Sequence, residues 1–136
     1  MTELLQAMAF RSEHCFIDIN KYNNQNIFSK ILEGSLPCKK VFENKFVLAF
    51  YDINPQAPIH VLVIPKKKYC SFTDFMKEND DESILQVMKA IQKIAEKLDL
   101  KSGYRIICNV GNDGGQEVPH VHFHLLSGKN LGKIIS

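Results

Sequence analysis

Three of the five histidines in this 136-residue chain fall within five positions, His120, His122 and His124. In Pro119-His120-Val121-His122-Phe123-His124-Leu125-Leu126 the residues alternate with period two. An extended strand therefore turns Val121, Phe123 and Leu125 to one face and the three imidazoles to the other. The apolar face is core material, but the imidazole face needs another reason. Two chemistries suit it. One is metal binding, since neutral imidazole ligates zinc and copper. Cα atoms four residues apart on a strand are about 13 Å apart, so three rings closing on one ion at roughly 2 Å would be strained. Adjacent pairs would need a ligand from elsewhere. No CxxC pair exists, and His60 is the one further histidine in the core region. The other chemistry is nucleotidyl transfer. Here a neutral imidazole nitrogen attacks phosphorus in line, and neighbouring N–H donors stabilise charge on the equatorial oxygens. That nucleophile needs one ring nitrogen hydrogen-bonded, which a backbone carbonyl can do, so that the other carries the lone pair.

The elements that must hold this row follow from periodicity and punctuation. Residues 1–24 mix polar and apolar positions and end in Asn20-Lys21-Tyr22-Asn23-Asn24, so they are read as an extension ahead of one domain, 25–136. Asn26 is an N-cap for a short helix with Ile27, Phe28, Ile31 and Leu32 on one stripe and Gly34 just past its end. Val41 to Tyr51, turning near Asn44, and Ile59 to Ile64, bracketed by Pro58 and Pro65, read as antiparallel strands. Asp80-Asp81-Glu82 opens a helix carrying Ile84, Leu85, Val87, Met88, Ile91, Ile94, Ala95 and Leu98, with Gly103 as its stop. Tyr104 to Asn109 and Val118 to Leu126 are the remaining strands, and Gly111 to Gly115 is a turn cluster without Walker or Rossmann spacing. The expectation is a single α+β domain on an antiparallel sheet with two helices.

Composition narrows the function. At 45% hydrophobic the chain can bury a core, and seventeen Lys+Arg against fifteen Asp+Glu leave a net charge of only +2. That field is too weak for sequence-independent binding to a nucleic-acid polymer. The longest apolar run, Val61 to Ile64, is far short of the roughly 20 residues of a spanning helix. No membrane partner is expected. Glu3 sits where a signal peptide carries positive charge, and Cys15, Cys38, Cys70 and Cys108 form no CxxC pair, which points to cytoplasmic thiols.

The run His120-Val121-His122-Phe123-His124-Leu125-Leu126 resembles the signature of the histidine triad family. The resemblance extends through Ile27-Phe28 with Lys30-Ile31, Phe50, Asp52-Ile53 with Pro55-Gln56-Ala57-Pro58, and Leu62-Val63-Ile64-Pro65-Lys66. It continues in Gly103-Tyr104-Arg105 and Gly114-Gly115-Gln116. All of these are similar to the Hint branch of that family in order and spacing. The resemblance implies a hydrolase of purine nucleoside phosphoramidates or related AMP or GMP conjugates, working without a cofactor as a homodimer whose sheets join. It assigns His122 as the nucleophile, His124 to the phosphate, His120 as support for the nucleophile, and Gln116 to the catalytic set. Asp52 would bind the ribose hydroxyls, as its paired acceptors suit. Ile53, Ile27 and Phe28 would line the base pocket. Asn109, Gly115, Gln116, Glu117, Val118 and Phe123 would complete the nucleotide contacts. A dinucleoside polyphosphate hydrolase and a catalytically weak nucleotide-binding module are the alternatives.

The chain departs from the family in several places. Lys68 stands where many relatives have a fourth histidine, and Asn26 and Ser29 where zinc-binding relatives have the two cysteines of a CxxC. No structural zinc is expected. Glu117 replaces a serine near the leaving group, and the C-terminus lacks the Trp-Pro-Pro ending of some relatives. His14 and His60 are read as bystanders, His60 as a sheet histidine.

Overall fold

A computed structural model describes residues 17–135. Residues 1–16, with His14, Cys15 and most of the expected extension, lie outside the described residues. The order is α1 (Ile27–Glu33), β1 (Lys40–Glu43), β2 (Val47–Tyr51), β3 (Ile59–Pro65), α2 (Phe72–Lys77), α3 (Asp81–Lys97), β4 (Arg105–Ile107) and β5 (Phe123–Ser127). The strands form one antiparallel sheet in the order β1-β2-β3-β5-β4.

Both faces of the sheet are covered, and the period of two sorts the side chains between them. On β2 and β3, Val47, Ala49, Val61 and Val63 pack with Phe75 of α2 and with Val87, Ala90, Ile91 and Ile94 of α3. Their neighbours Leu48, Phe50, Leu62 and Ile64 pack against Ile27, Phe28 and Ile31 of α1 on the other face. Val121, Phe123 and Leu125 join the α3 side, so His122 and His124 face α1, as the alternation predicts.

Helix α1 forms as its sequence predicts. The Asn26 side chain accepts the Ser29 N–H, and Gly34 ends the helix at φ 87°. Helix α3 starts at its Asp80 cap but stops six residues before Gly103, because Asp99 adopts φ 57° and turns the chain away. Helix α2 is an addition to the two expected. It is nucleated by a capping box in which Ser71 and Asp74 satisfy each other's backbone N–H groups. Strand β4 covers only the middle of its predicted range. Strand β5 begins five residues later than predicted, leaving residues 118–122 outside the ladder, though Val121 N–H donates to the Tyr69 carbonyl at 2.8 Å. Pro65 does not bar the ladder. It pairs opposite Val47, and Lys66 N–H carries the pairing one step further, to the Phe46 carbonyl.

Residues 17–24 lie against the domain. Ile17 N–H donates to Asn112 Oδ1 at 2.9 Å, and Tyr22 reaches His120. Among the described residues no helix is long and apolar enough to cross a membrane, and Cys38, Cys70 and Cys108 are free thiols.

Candidate active site

The three triad histidines have different surroundings, and for each the fixed partner of one ring nitrogen decides where the proton sits. His120 is fully buried. Its Nε2 lies 2.9 Å from the Pro65 carbonyl oxygen, which can only accept, so Nε2 carries the hydrogen. Burial pushes its pKa down to about 4, so the ring is neutral near pH 7. Nδ1 is therefore an acceptor, and the Tyr22 hydroxyl donates to it at 2.5 Å.

His122 has the opposite tautomer. Its Nδ1 lies 2.7 Å from the carbonyl of His120, two residues earlier, and must donate. In the neutral ring the lone pair is then on Nε2. Phe28 stands edge-on to the ring at 5.0 Å between centroids. His122 lines a cavity of about 320 Å³, together with Asp52, Asn54, Gln56, His60, Asn109, Gly115, Glu117 and His124.

His124 is set through His60. The backbone N–H of Gln56 donates to His60 Nδ1 at 3.0 Å, so the His60 hydrogen is on Nε2. That hydrogen is donated to His124 Nδ1 at 2.9 Å, which leaves the His124 hydrogen on Nε2. The backbone of the 52–58 turn thus reaches His124 through one intervening ring. Burial lowers the pKa of His60, against an opposing pull from Asp52. Asp52 Oδ2 lies 3.5 Å from His60 Nε2, while Asp52 Oδ1 accepts the Asn54 N–H at 2.8 Å. Asp52 is therefore both a turn residue and a wall of the cavity.

Asp52, His60 and His124 bring three potential ligand atoms within 4.8 Å of one another. The Gln56 N–H on His60 Nδ1 argues against a metal there. Coordination through Nε2 would leave both nitrogens of His60 without hydrogen, an imidazolate. The trio is built as a hydrogen-bonded relay.

A second, apolar cavity of about 450 Å³ is lined by Ile27, Phe28, Ile31, Phe50, Ile53 and Leu62 among others. It shares Phe28, Asp52 and Leu62 with the polar one. An apolar slot thus meets a polar, imidazole-lined chamber across Asp52.

Most expected site residues meet here: His122, His124, Asp52, Asn109, Gly115 and Glu117 in the polar cavity, and Ile27, Phe28 and Ile53 in the apolar one. Four do not line either cavity. The Gln116 side chain is buried and its amide is consumed by backbone: Oε1 accepts the Gly111 N–H, and Nε2 donates to the carbonyls of Cys70 and Val118. Its amide therefore braces the loop beneath the site. Phe123 is in the core on the α3 side, edge-on to Phe72, because period two turns it away from its histidine neighbours. Val118 is packed behind α1. His120 meets the site through its carbonyl, on His122 Nδ1, and through its ring, edge-on to Phe28 at 6.4 Å.

Asn54, Gln56 and His60 on the cavity wall, and Tyr22 behind His120, lie outside the expected set of site residues. Period two put His60 on the same face as Leu62. Only the β3–β5 register, which sets Leu62 opposite His124 and His60 opposite Leu126, brings its ring to His124. Tyr22 gave no signal, because its partner is 98 residues away.

The HIT domain model matches residues 33–131. The chain belongs to the HIT family. It is 45% identical over 116 residues to an uncharacterized 13.2 kDa HIT-like protein of Azospirillum brasilense, a match covering 85% of this chain and 95% of that one. A HIT family hydrolase from Legionella pneumophila superposes with a TM-score of 0.76 at 42% identity, covering 82% of this chain and all of the other. A histidine triad nucleotide-binding protein from Candida albicans superposes with a TM-score of 0.70 at 30% identity, covering 82% and 85%. Within this HIT chain, the positions that depart from the family pattern have local partners of their own. Asn26 caps α1 and donates to the Asn23 carbonyl, Ser29 is buried on that helix, and Lys68 Nζ donates to Asn24 Oδ1 at 2.7 Å.

Proposed function

We propose that this HIT protein is a nucleotidyl hydrolase that cleaves purine nucleoside phosphoramidates or related AMP or GMP conjugates through a covalent intermediate on His122. One observation carries the reading: the hydrogen bond from His122 Nδ1 to the His120 carbonyl, which assigns the lone pair of the neutral ring to Nε2, on a residue that lines the polar cavity. Nε2 attacks phosphorus, and the bond to the leaving group breaks. A departing amine takes the electron pair and a proton from solvent. Water then attacks the phosphohistidine and returns a proton to solvent, releasing the nucleoside 5′-monophosphate and returning the lone pair to Nε2. The His124 Nε2–H stabilises the phosphoryl oxygens as charge spreads over them.

The two joined cavities support a nucleotide of this size and polarity. The apolar slot at Ile27, Phe28 and Ile53 suits a purine, and Asp52 at the junction suits ribose hydroxyls. The names of the relatives from Legionella pneumophila and Candida albicans point the same way. The active form in this reading is a homodimer joined along β4, whose Ile106 is half-exposed, and the free thiols fit a cytoplasmic setting.

Replacing His122 with Ala should cut release of AMP from an adenosine phosphoramidate by at least about a thousandfold. Rapid quenching of the wild type should yield a nucleotidyl adduct by intact mass. Near-wild-type turnover by H122A would sink the reading. Faster turnover of a diadenosine polyphosphate than of the phosphoramidate would move the substrate assignment, and AMP binding without single turnover would reduce the protein to a binding module.

A further inference from the structure

The carbonyl that orients His122 belongs to a residue the sheet does not hold. The ladder of β5 begins at Phe123, and the backbone hydrogen bond nearest His120 runs from Val121 N–H to the Tyr69 carbonyl. Because that N–H shares its planar peptide unit with the His120 carbonyl, Tyr69 fixes one end of the unit, and the His120 side chain fixes the Cα at the other. That ring has two polar atoms, and both are held by distant parts of the chain: Nε2 by the Pro65 carbonyl and Nδ1 by the Tyr22 hydroxyl. The Tyr22 ring also stands edge-on to His120 at 5.5 Å.

Tyr22 is itself secured. Lys68 Nζ donates to Asn24 Oδ1 at 2.7 Å and lies 6.0 Å from the centre of the Tyr22 ring. Asn26 Nδ2 donates to the Asn23 carbonyl at 2.6 Å. A tyrosine held this closely on a fully buried imidazole does more than cover apolar surface, because its hydroxyl satisfies an acceptor that water does not reach. Burial also raises the pKa of Tyr22, so the hydroxyl keeps its proton and remains a donor.

We propose that Tyr22 is a positioning residue for the transfer step: its hydroxyl fixes the His120 ring, and through the His120 carbonyl it holds His122 with Nε2 directed at phosphorus. The proposal rests on the reading of His122 as the nucleophile. Tyr22 touches no substrate, and its effect belongs in the rate of bond formation. Near-attack geometry is sensitive to small displacements of the nucleophile.

The test is Tyr22→Phe in the full chain, which keeps the ring and removes one hydroxyl. Single-turnover formation of the His122 adduct should slow by about tenfold, while calorimetric affinity for AMP stays within about twofold. In ¹⁵N-histidine-labelled protein the His120 Nδ1 resonance should move toward that of an imidazole nitrogen without a hydrogen-bond donor. In a His120→Asn background the same substitution should cost nothing further, because the route through the ring is already cut. Lys68→Met, which loosens the segment without touching His120, should lower kcat in the same sense and leave KM unchanged, and it serves as the test if Y22F does not fold. Wild-type adduct formation by Y22F, or by K68M where Y22F does not fold, overturns the proposal. So does an undiminished effect in the H120N background. If H122A turns over normally, the nucleophile assignment fails first; if H122A is inactive and Y22F is not slowed, only the role of Tyr22 fails.

Discussion

At the residue scale, the site is a matter of which ring nitrogen holds the proton. Pro65, the His120 carbonyl and Gln56 each offer a backbone group with only one possible role, and together they fix hydrogen on Nε2 of His120, Nδ1 of His122 and Nε2 of His60 and His124. His120 also links the site to stability. Its folded pKa of about 4 lies below the ordinary 6.5, so between these values the unfolded chain binds more protons than the native one. Stability therefore rises with pH across that window: it is fully present above about 6.5 and is lost as pH falls toward 4. The loss amounts to about 3 kcal/mol at most. Urea midpoints recorded from pH 7 to 4 should fall over that range, and His120→Gln should flatten the fall. Asp52 gives a second prediction. If its carboxylate holds the ribose, Asp52→Asn should weaken AMP binding by about tenfold or more and narrow the preference for AMP over 2′-deoxy-AMP. Calorimetry with the two nucleotides checks both effects.

At the scale of elements, the parts legible in the sequence were those coded locally. The Asn26 and Asp80 caps, the stripe of α3 and the alternation from Val121 to Leu125 each involve side chains within one turn or one strand of each other. The Ser71-Phe72-Thr73-Asp74 capping box was equally local, but it opens a helix of only 6 residues, too short for periodicity to show. The contributions of Tyr22, His60 and Pro65 to the site were hidden because they come from register and from contacts 55 to 98 residues apart. The turn at 111–115 was readable as a turn but not for its tightness. A Cβ on Gly114 would stand 2.4 Å from the Val110 carbonyl oxygen, and backbone does not move aside cheaply. Gly114→Ala should cost about 1 to 3 kcal/mol, read as a lower denaturation midpoint, and should also disturb Asn109 and Gly115 on the cavity wall.

For the whole molecule, the two sheet edges differ. Strand β1 is tied down by ion pairs from Lys40 and Lys66 to Glu43, charges of the kind that discourage pairing with another strand. Strand β4 at the opposite edge has only 3 residues, with Ile106 50% exposed and Tyr104 38% exposed beside it. In a joined-sheet dimer that edge is the seam. Ile106→Asp should shift sedimentation from dimer to monomer, whereas the same change at exposed Leu85 on α3 should leave the seam intact. A monomeric wild type would contradict the arrangement. The contact between Tyr22 and His120 also bears on how the site comes into being. It closes a loop of nearly the full domain, 98 residues, and contacts of such separation form late because their entropy must be met by structure already in place. The helices and hairpins can be complete while His120 is still unclamped. Refolding chains should therefore recover their secondary structure before they recover turnover, which makes activity the last reporter of the native state.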